Sequence, residues 1–263
     1  MSTPRWTRYV ALGDSFTEGL WDAPDGTEAP LRGWADLLAA HLSARRVDAG
    51  LPPLEYANIA IRGRKLARIV TEQVDEALAM EPDLVSLLGG GNDLLRPDAH
   101  PDHLARQLET AVVRLRQAGV DVLMGTGFDT WGSPMIRRIR PKVALYNADI
   151  WSIARRNGAF VMDAWGMRSL RDWRMWSEDR IHLTTAGHER VAQAALVGLG
   201  LEPDSPDWDD PLAPLRPTPR LDRARENARW AREHWVPWMG RRLRGRSSGD
   251  GRSPKRPVPE PVG

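Results

Sequence analysis

The chain has no cysteine, and lysine, phenylalanine and tyrosine each occur only three times in 263 residues. The absence of cysteine excludes disulfide bonds, cysteine nucleophiles and thiolate metal sites. No segment approaches the roughly 20 consecutive apolar residues that span a bilayer. Residues 1–8 lack the charged and apolar regions of a signal peptide. These absences predict a cytoplasmic protein whose core needs neither disulfides nor a metal.

The charge of the chain is small overall but unevenly distributed. The net charge is +2, whereas residues 216–263 hold 13 arginines and lysines and only five acidic residues, so residues 1–215 carry a net −6. A basic tail of this kind is able to bind nucleic acid or an anionic membrane surface. It is also able to dock on the acidic body of the same chain, which is the interpretation we favour. We therefore expect no nucleic-acid partner, and membrane contact is possible but not favoured.

Short apolar runs alternate with amphipathic stretches over the first 200 residues. The runs predict strands at Arg8–Leu12, Glu55–Ile61, Leu84–Leu88, Val120–Met124 and Phe160–Met162. The amphipathic stretches predict helices at Trp34–Arg46, Leu66–Met80, Leu104–Gln117, Val143–Arg156 and Ala186–Leu199. Such alternation indicates an α/β fold with a parallel sheet covered by helices on both faces. We expect one three-layer α/β/α domain with a five-stranded sheet over residues 1–201.

The composition changes after Leu201. Residues 202–219 are rich in proline and aspartate and are typical of a surface linker. Residues 220–240 predict a basic amphipathic helix with one apolar stripe. The stripe comprises Leu221, Ala224, Ala228, Ala231, Trp235 and Trp238. Residues 241–263 are dominated by glycine, serine, arginine and proline, and we expect them to be disordered.

Polar residues follow four of the predicted strands. Ser15 follows the first strand, Gly63 the second and Asn92 the third, while Asp179 and His182 lie between the fifth strand and the last helix. Each has a structural explanation of its own, because serine, glycine and asparagine are common in turns and caps. Their joint position is more informative, since open α/β sheets bind ligands at the carboxyl ends of their strands.

Together these residues provide the parts of an acyl-transfer site. Ser15 is the candidate nucleophile and His182 the candidate base, with Asp179 orienting the imidazole through Nδ1–H. The Ser15 N–H, the Gly63 N–H and the Asn92 side-chain amide are candidate donors to an oxyanion. The elbow of α/β-hydrolases, Gly-x-Ser-x-Gly, is excluded because Thr17 stands where its second glycine would be.

The same residues resemble the conserved blocks of the SGNH hydrolases, also called GDSL-type esterases and lipases. The resemblance rests on Gly13-Asp14-Ser15, Gly63, Gly91-Asn92-Asp93 and the segment from Asp179 to His182, and it spans about residues 8–200. After Ser15, Phe16-Thr17 departs from the leucine of the namesake motif. The resemblance implies a flavodoxin-like sheet and a serine esterase that requires no metal and no organic cofactor.

Several expectations about the ligand and the surrounding residues follow. The partner is a small-molecule ester, and we favour short-chain or acetyl esters. Lysophospholipid-like esters, or a non-catalytic binding role for the same fold, are the alternatives. We expect Asp14 and Asp93 to cap helices or brace loops, and His188 to be structural. The candidates to line the pocket are Trp21 with the loop Asp22–Arg32, and the segment Phe128–Arg140 with Trp131. Core packing is the alternative for both tryptophans.

Overall fold

The computed structural model describes residues 4–22, 31–133, 136–215, 225, 227–235 and 248–263. Within these ranges one sheet contains six strands. They are β1 (Arg8–Leu12), β2 (Glu55–Asn58), β3 (Leu84–Leu87), β4 (Asp121–Gly125), β5 (Phe160–Met162) and β6 (Arg256–Pro261). Their order across the sheet is β5-β4-β3-β1-β2-β6. The first five are parallel, as predicted, and β6 pairs antiparallel with β2.

Helices lie between the strands along the chain. They are α1 (Ser15–Glu18), α2 (Trp34–Asp48), α3 (Leu66–Arg68), α4 (Val74–Leu78), α5 (Gly91–Leu94), α6 (Pro101–Gln117), α7 (Arg140–Asn157) and α8 (Thr185–Gly198). Two of them begin three residues earlier than predicted, α6 at Pro101 and α7 at Arg140. Both have proline in the first turn, where its missing N–H and fixed φ are tolerated. None of the helices in the described ranges is long and apolar enough to cross a membrane.

Two apolar cores lie on opposite faces of the sheet. Helices α3, α4, α6 and α7 cover one face, where they pack against residues such as Val10 and Leu12 of β1. Helices α2 and α8 cover the other face, where Tyr9 and Ala11 point. Successive strand residues alternate between the faces because the side-chain period of a strand is two. The α/β/α sandwich expected from the sequence is confirmed.

The predicted helix Leu66–Met80 is interrupted by a π-helical segment, Ile69–Gln73. Gln73 is buried within it and reaches the end of β1. Its Nε2 donates to the Gly13 carbonyl at 3.0 Å, and its Oε1 accepts from the Gly13 N–H at 2.8 Å. Apolar periodicity does not reveal such a segment, because the extra residue in the turn depends on this tertiary contact.

The sixth strand corrects two predictions. Residues 256–261 form β6, so disorder is the wrong prediction for this part of 241–263, and the sheet has six strands instead of five. Proline at alternate positions hides the strand in the sequence, because proline removes a ladder donor. On an edge strand that loss is tolerated. The strand covers β2, and Lys255 Nζ binds Asp36 Oδ2 at 2.6 Å beside it.

The segment between α8 and β6 is described in part. In the predicted linker, Trp208 and Leu212 pack against the α2/α8 core, and Asp209 accepts hydrogen bonds from the Arg168 and Ser169 backbone. Residues 227–235 are helical, as predicted, and end in a π-helical turn. Ala228 is exposed, so it is wrongly assigned to a packed stripe. Leu221, Ala224 and Trp238 lie outside the described residues.

Candidate active site

Strand β1 delivers the candidate nucleophile to the edge of the sheet. Gly13 has a φ of 154°, and a Cβ there would lie 2.6 Å from Thr17 Oγ1 and 2.8 Å from the Leu88 carbonyl. Only glycine fits this position. The Asp14 carboxylate then accepts a hydrogen bond from the Phe16 N–H at 3.1 Å and caps the short helix α1, which begins at Ser15. The turn therefore holds Ser15 at the carboxyl end of the central strand.

Three of the predicted site residues meet in one hydrogen-bonded chain. His182 Nε2 lies 2.8 Å from Ser15 Oγ, although the two residues are 167 positions apart in the sequence. His182 Nδ1 lies 2.6 Å from Asp179 Oδ2. These contacts are within hydrogen-bonding distance and have the order nucleophile, base and orienting acid. The arrangement is competent for proton transfer from the serine hydroxyl to the imidazole.

The Asp179 carboxylate is held by its own loop. Its Oδ1 accepts hydrogen bonds from Ser177 Oγ at 2.7 Å, the Ile181 N–H at 2.9 Å and the His182 N–H at 3.0 Å. Burial alone would raise the pKa of Asp179, but the hydrogen bond and charge of His182, with the backbone donors, lower that pKa below its ordinary value. The carboxylate is therefore ionised at neutral pH and available to orient the imidazole.

Asn92 lies beside the nucleophile turn. Its Nδ2 donates to Asp14 Oδ2 at 3.0 Å and to the Arg64 carbonyl at 3.1 Å. Both amide hydrogens therefore have partners within the protein. Gly63 is on the adjoining loop, with a φ of 73°, and is not among the described residues that line the cleft at Ser15. The structure thus places Asn92 at the site. Gly63 is adjacent in the chain to Arg64, whose carbonyl accepts a hydrogen bond from Asn92.

The two neighbouring aspartates have the structural roles predicted for them. Asp14 caps α1, and Asp93 Oδ2 accepts a hydrogen bond from the Leu66 N–H at 2.9 Å, at the start of α3. Burial raises the pKa of Asp14 to about 6, against the opposing effects of its hydrogen bonds and the charge of His182. Burial also raises the pKa of Asp93. Asp14 lines the cleft beside Ser15. With this raised pKa, its carboxyl group is partly protonated in mildly acidic solution.

An ion pair between Arg62 and Glu18, whose acidic partner sequence reasoning did not identify, ties the Gly63 loop to α1. The Glu18 carboxylate accepts from the Arg62 N–H at 2.6 Å and from Arg62 Nε at 2.8 Å. Both side chains are nearly buried. In the sequence, Glu18 stands three residues after Ser15, but nothing local links it to Arg62, which is 44 residues away. The pair fixes the loop that carries Gly63 relative to Ser15.

A large cleft opens above Ser15 and His182. Its volume is about 620 Å³. The apolar residues of its wall include Phe16, Leu94, Phe128, Trp131, Val143, Leu170, Trp173 and Trp176. Eight of the described residues of Phe128–Arg140 line the cleft, as predicted, whereas Trp21 does not line it. Residues 23–30 of the loop that follows Trp21 lie outside the described residues. The contribution of residues 170–176 was missed, although two tryptophans shortly before Asp179 were a signal.

The remaining histidine near the site is structural, as predicted. His188 is buried, and its Nδ1 accepts a hydrogen bond from the Trp34 N–H at 3.2 Å. Burial lowers the pKa of His188 to about 3, with a further contribution from the charge of Lys255. The imidazole is therefore neutral near pH 7. Among the residues that the structure describes, no group of three or more histidine or acidic side chains is placed to hold a metal ion.

The fold is that of the SGNH-type hydrolases. The model of the GDSL-like lipase/acylhydrolase family matches residues 11–190, and the chain belongs to that family. None of the curated proteins that were searched matches the chain.

Two solved structures illustrate the similarity of the fold. LAE5, an α/β hydrolase enzyme from the metagenome of Lake Arreo in Spain, is 25% identical with a TM-score of 0.61, over 74% of this chain and 95% of its own. Axe2, an acetylxylan esterase from Geobacillus stearothermophilus, is 23% identical with a TM-score of 0.63, over 77% of this chain and 98% of its own. Both cover nearly all of their own length, so about a quarter of the present chain is additional to them.

Proposed function

We propose that the protein hydrolyses carboxylic esters with Ser15 as nucleophile, His182 as general base and acid, and Asp179 as the orienting carboxylate. The observation that carries the proposal is the continuous chain from Ser15 Oγ to His182 Nε2 at 2.8 Å and from His182 Nδ1 to Asp179 Oδ2 at 2.6 Å. Family membership supports an acylhydrolase but does not identify these residues.

In the proposed reaction, His182 Nε2 removes the proton from Ser15 Oγ as the oxygen attacks the ester carbonyl carbon. The tetrahedral oxyanion collapses, the carbon–oxygen bond to the alcohol breaks, and His182 returns the proton to the leaving alcohol. Water activated by His182 then cleaves the acyl-enzyme and releases the acid. Asp179 stabilises the imidazolium in both halves of the reaction without taking the proton.

The Ser15 N–H, the Gly63 N–H and the Asn92 amide are the proposed oxyanion donors. In the protein without substrate, the Asn92 hydrogens bind the Asp14 carboxylate and the Arg64 carbonyl. The neutral carbonyl is the weaker of these acceptors. We therefore propose that the hydrogen directed at Arg64 is the one that turns toward, or is shared with, the developing oxyanion.

The size of the cleft bears on the substrate. A volume of about 620 Å³ exceeds the needs of an acetyl group, and its wall is mainly apolar. We propose an ester with a short acyl chain and a bulky, largely apolar alcohol. A lysophospholipid-like ester is the second candidate, because the same apolar wall would accept one long acyl chain.

Hydrolysis of p-nitrophenyl esters from acetate to palmitate tests both the role of Ser15 as nucleophile and the proposed length of the acyl chain. The comparison uses the wild type, Ser15→Ala and the matched control Ser152→Ala, whose exposed hydroxyl on α7 donates to the Ala148 carbonyl. We expect Ser15→Ala to lose on the order of 10⁴-fold or more in kcat and Ser152→Ala to keep it. Equal rates for wild type and Ser15→Ala would refute the nucleophile. Maximal kcat/KM at long chains would favour the lipid ester.

A further inference from the structure

Three arginines line the cleft above Ser15: Arg140, Arg171 and Arg180. Only Arg140 has a carboxylate partner among the residues that the structure describes. Its guanidinium donates to Asp129 at 2.6 and 3.2 Å, which neutralises both charges. The Arg171 side chain is exposed and makes no hydrogen bond or ion pair within the described ranges. The Asp129 carboxylate also attracts the Arg171 charge, but one carboxylate between two arginines leaves a net positive charge in this part of the cleft.

Arg180 is a second cation of the cleft, and it is held in place. Its backbone has a φ of 57°, which is uncommon for a residue other than glycine. Its guanidinium lies 6.0 Å from the centre of the Trp173 ring and 5.1 Å from that of Trp230. Nη1 donates to Asn227 Oδ1 at 2.7 Å, a neutral acceptor on the C-terminal helix. The charge is thus oriented in advance, and within the part of the chain that the structure describes most of its five N–H donors stay available.

The position of these two cations contrasts with the rest of the domain. Residues 1–215 carry a net negative charge, so a positive cleft is not a consequence of overall composition. Apolar walls strengthen the field of the cations within the cleft, since they reduce the screening by water. The exposed faces of Trp131 and Trp173, at 68% and 42%, border the same opening. A ligand that fits would combine an apolar portion with an anionic group.

We propose that the cleft selects esters that carry a carboxylate, phosphate or sulfonate group, recognised by Arg171 and Arg180. The proposal rests on the proposed esterase function, because it assigns a substrate class to that site. It also gives the C-terminal helix a role, since Asn227 and Trp230 orient one of the two recognition residues. An arginine restrained in this way loses little further conformational entropy when it binds an anion.

The test compares matched neutral and anionic esters. One pair, p-nitrophenyl hexanoate and mono-p-nitrophenyl adipate, places the charge at the far end of the acyl chain, where the carboxylate does not efficiently attack its own ester. A second pair, 2-naphthyl acetate and its 6-sulfonate, places it on the alcohol. Each kcat/KM is divided by the uncatalysed rate constant, and the ratio of anionic to neutral ester is the readout. We use Arg171→Gln, Arg171→Glu and Arg180→Gln, with Arg106→Gln as a control on the exposed surface of α6.

For at least one pair we expect a ratio above one in the wild type. The ratio should fall roughly five- to tenfold in Arg171→Gln and Arg180→Gln, fall further in Arg171→Glu, and be unchanged in Arg106→Gln. Raising the salt concentration should lower the wild-type ratio. A ratio at or below one for both pairs, or one that the Arg171 and Arg180 variants leave unchanged, would overturn the proposal while leaving the esterase intact.

A binding measurement, which needs no ester hydrolysis, tests anion recognition separately from the proposed esterase activity. Calorimetric titration of Ser15→Ala with each ester pair measures binding alone. Tighter binding of the anionic member, lost in the double variant Ser15→Ala/Arg171→Gln, would support anion recognition even if no ester were hydrolysed. Equal binding of both members would reject it.

Discussion

Replacing Asp179 by asparagine tests the proposed triad with an almost isosteric change. Oδ1 of Asp179 accepts three hydrogen bonds, at 2.7, 2.9 and 3.0 Å. An asparagine keeps these three bonds only if its carbonyl oxygen takes the position of Oδ1. The amide nitrogen then faces His182 Nδ1, where Oδ2 lies at 2.6 Å in the wild type. The surrounding donors therefore determine the orientation of the introduced amide.

This orientation reverses the tautomer of the imidazole. The amide N–H donates to Nδ1, so the ring proton moves to Nε2, which faces Ser15 Oγ at 2.8 Å. A protonated Nε2 cannot accept the serine proton. A tautomer error of this kind typically lowers kcat by roughly 10⁴-fold. That factor corresponds to about 5 kcal/mol of transition-state stabilisation.

The assay is kcat for p-nitrophenyl butyrate in the wild type, Asp179→Asn and the control Ser177→Ala. The control removes one donor to Oδ1 but keeps a carboxylate facing His182, so we expect a loss of roughly tenfold or less. Near-UV circular dichroism checks that each variant is folded. An Asp179→Asn enzyme that kept a tenth or more of the wild-type kcat would refute the tautomer argument.

Three further predictions concern the floor of the site, the oxyanion donor and the edge of the sheet. Burial raises the pKa of Asp14 from 3.8 to about 6, so the folded protein holds this proton more tightly than the unfolded chain. The group therefore lowers the free energy of unfolding by about 2 kcal/mol as the pH rises from 4 to 7. Asp14→Asn should lack this decrease in urea unfolding followed by tryptophan fluorescence, and parallel pH profiles would contradict it. Asn92→Ala should lower kcat by about 10²- to 10³-fold with a smaller change in KM. Unchanged steady-state rates would remove Asn92 from the oxyanion site. Deleting residues 254–263 removes β6 and uncovers β2, so calorimetry should find a Tm several degrees lower and light scattering should find self-association. An unchanged Tm would mean that β6 adds no stability.

Much of the fold could be predicted because its pattern is local. The five parallel strands follow apolar runs, and the longer helices follow stretches with helical periodicity, whereas the four-residue helices α1 and α5 were not predicted. The prediction failed where the pattern is not local. The π-helical segment at Ile69–Gln73 depends on the contact of Gln73 with Gly13, 60 residues away. Strand β6 depends on the unpaired edge of β2, because its own residues alternate with proline.

In the candidate site, too, local sequence patterns predicted some features, and contacts between distant residues determined the others. The sequence by itself determined which groups reach the carboxyl edge of the sheet, since polar residues after parallel strands share one edge. Ser15, Asn92, Asp179 and His182 were therefore identifiable before any contact was known.

Only the tertiary structure decided what surrounds those groups. The partners of the Asn92 amide, the apolar wall of the cleft and the stacking of Arg180 between Trp173 and Trp230 join residues far apart in the chain. Such contacts leave no periodic signal, because they arise from the meeting of loops and not from the regular geometry of a helix or strand. The candidate catalytic residues can for this reason be predicted from the sequence, whereas the residues that surround them are known only from the folded chain.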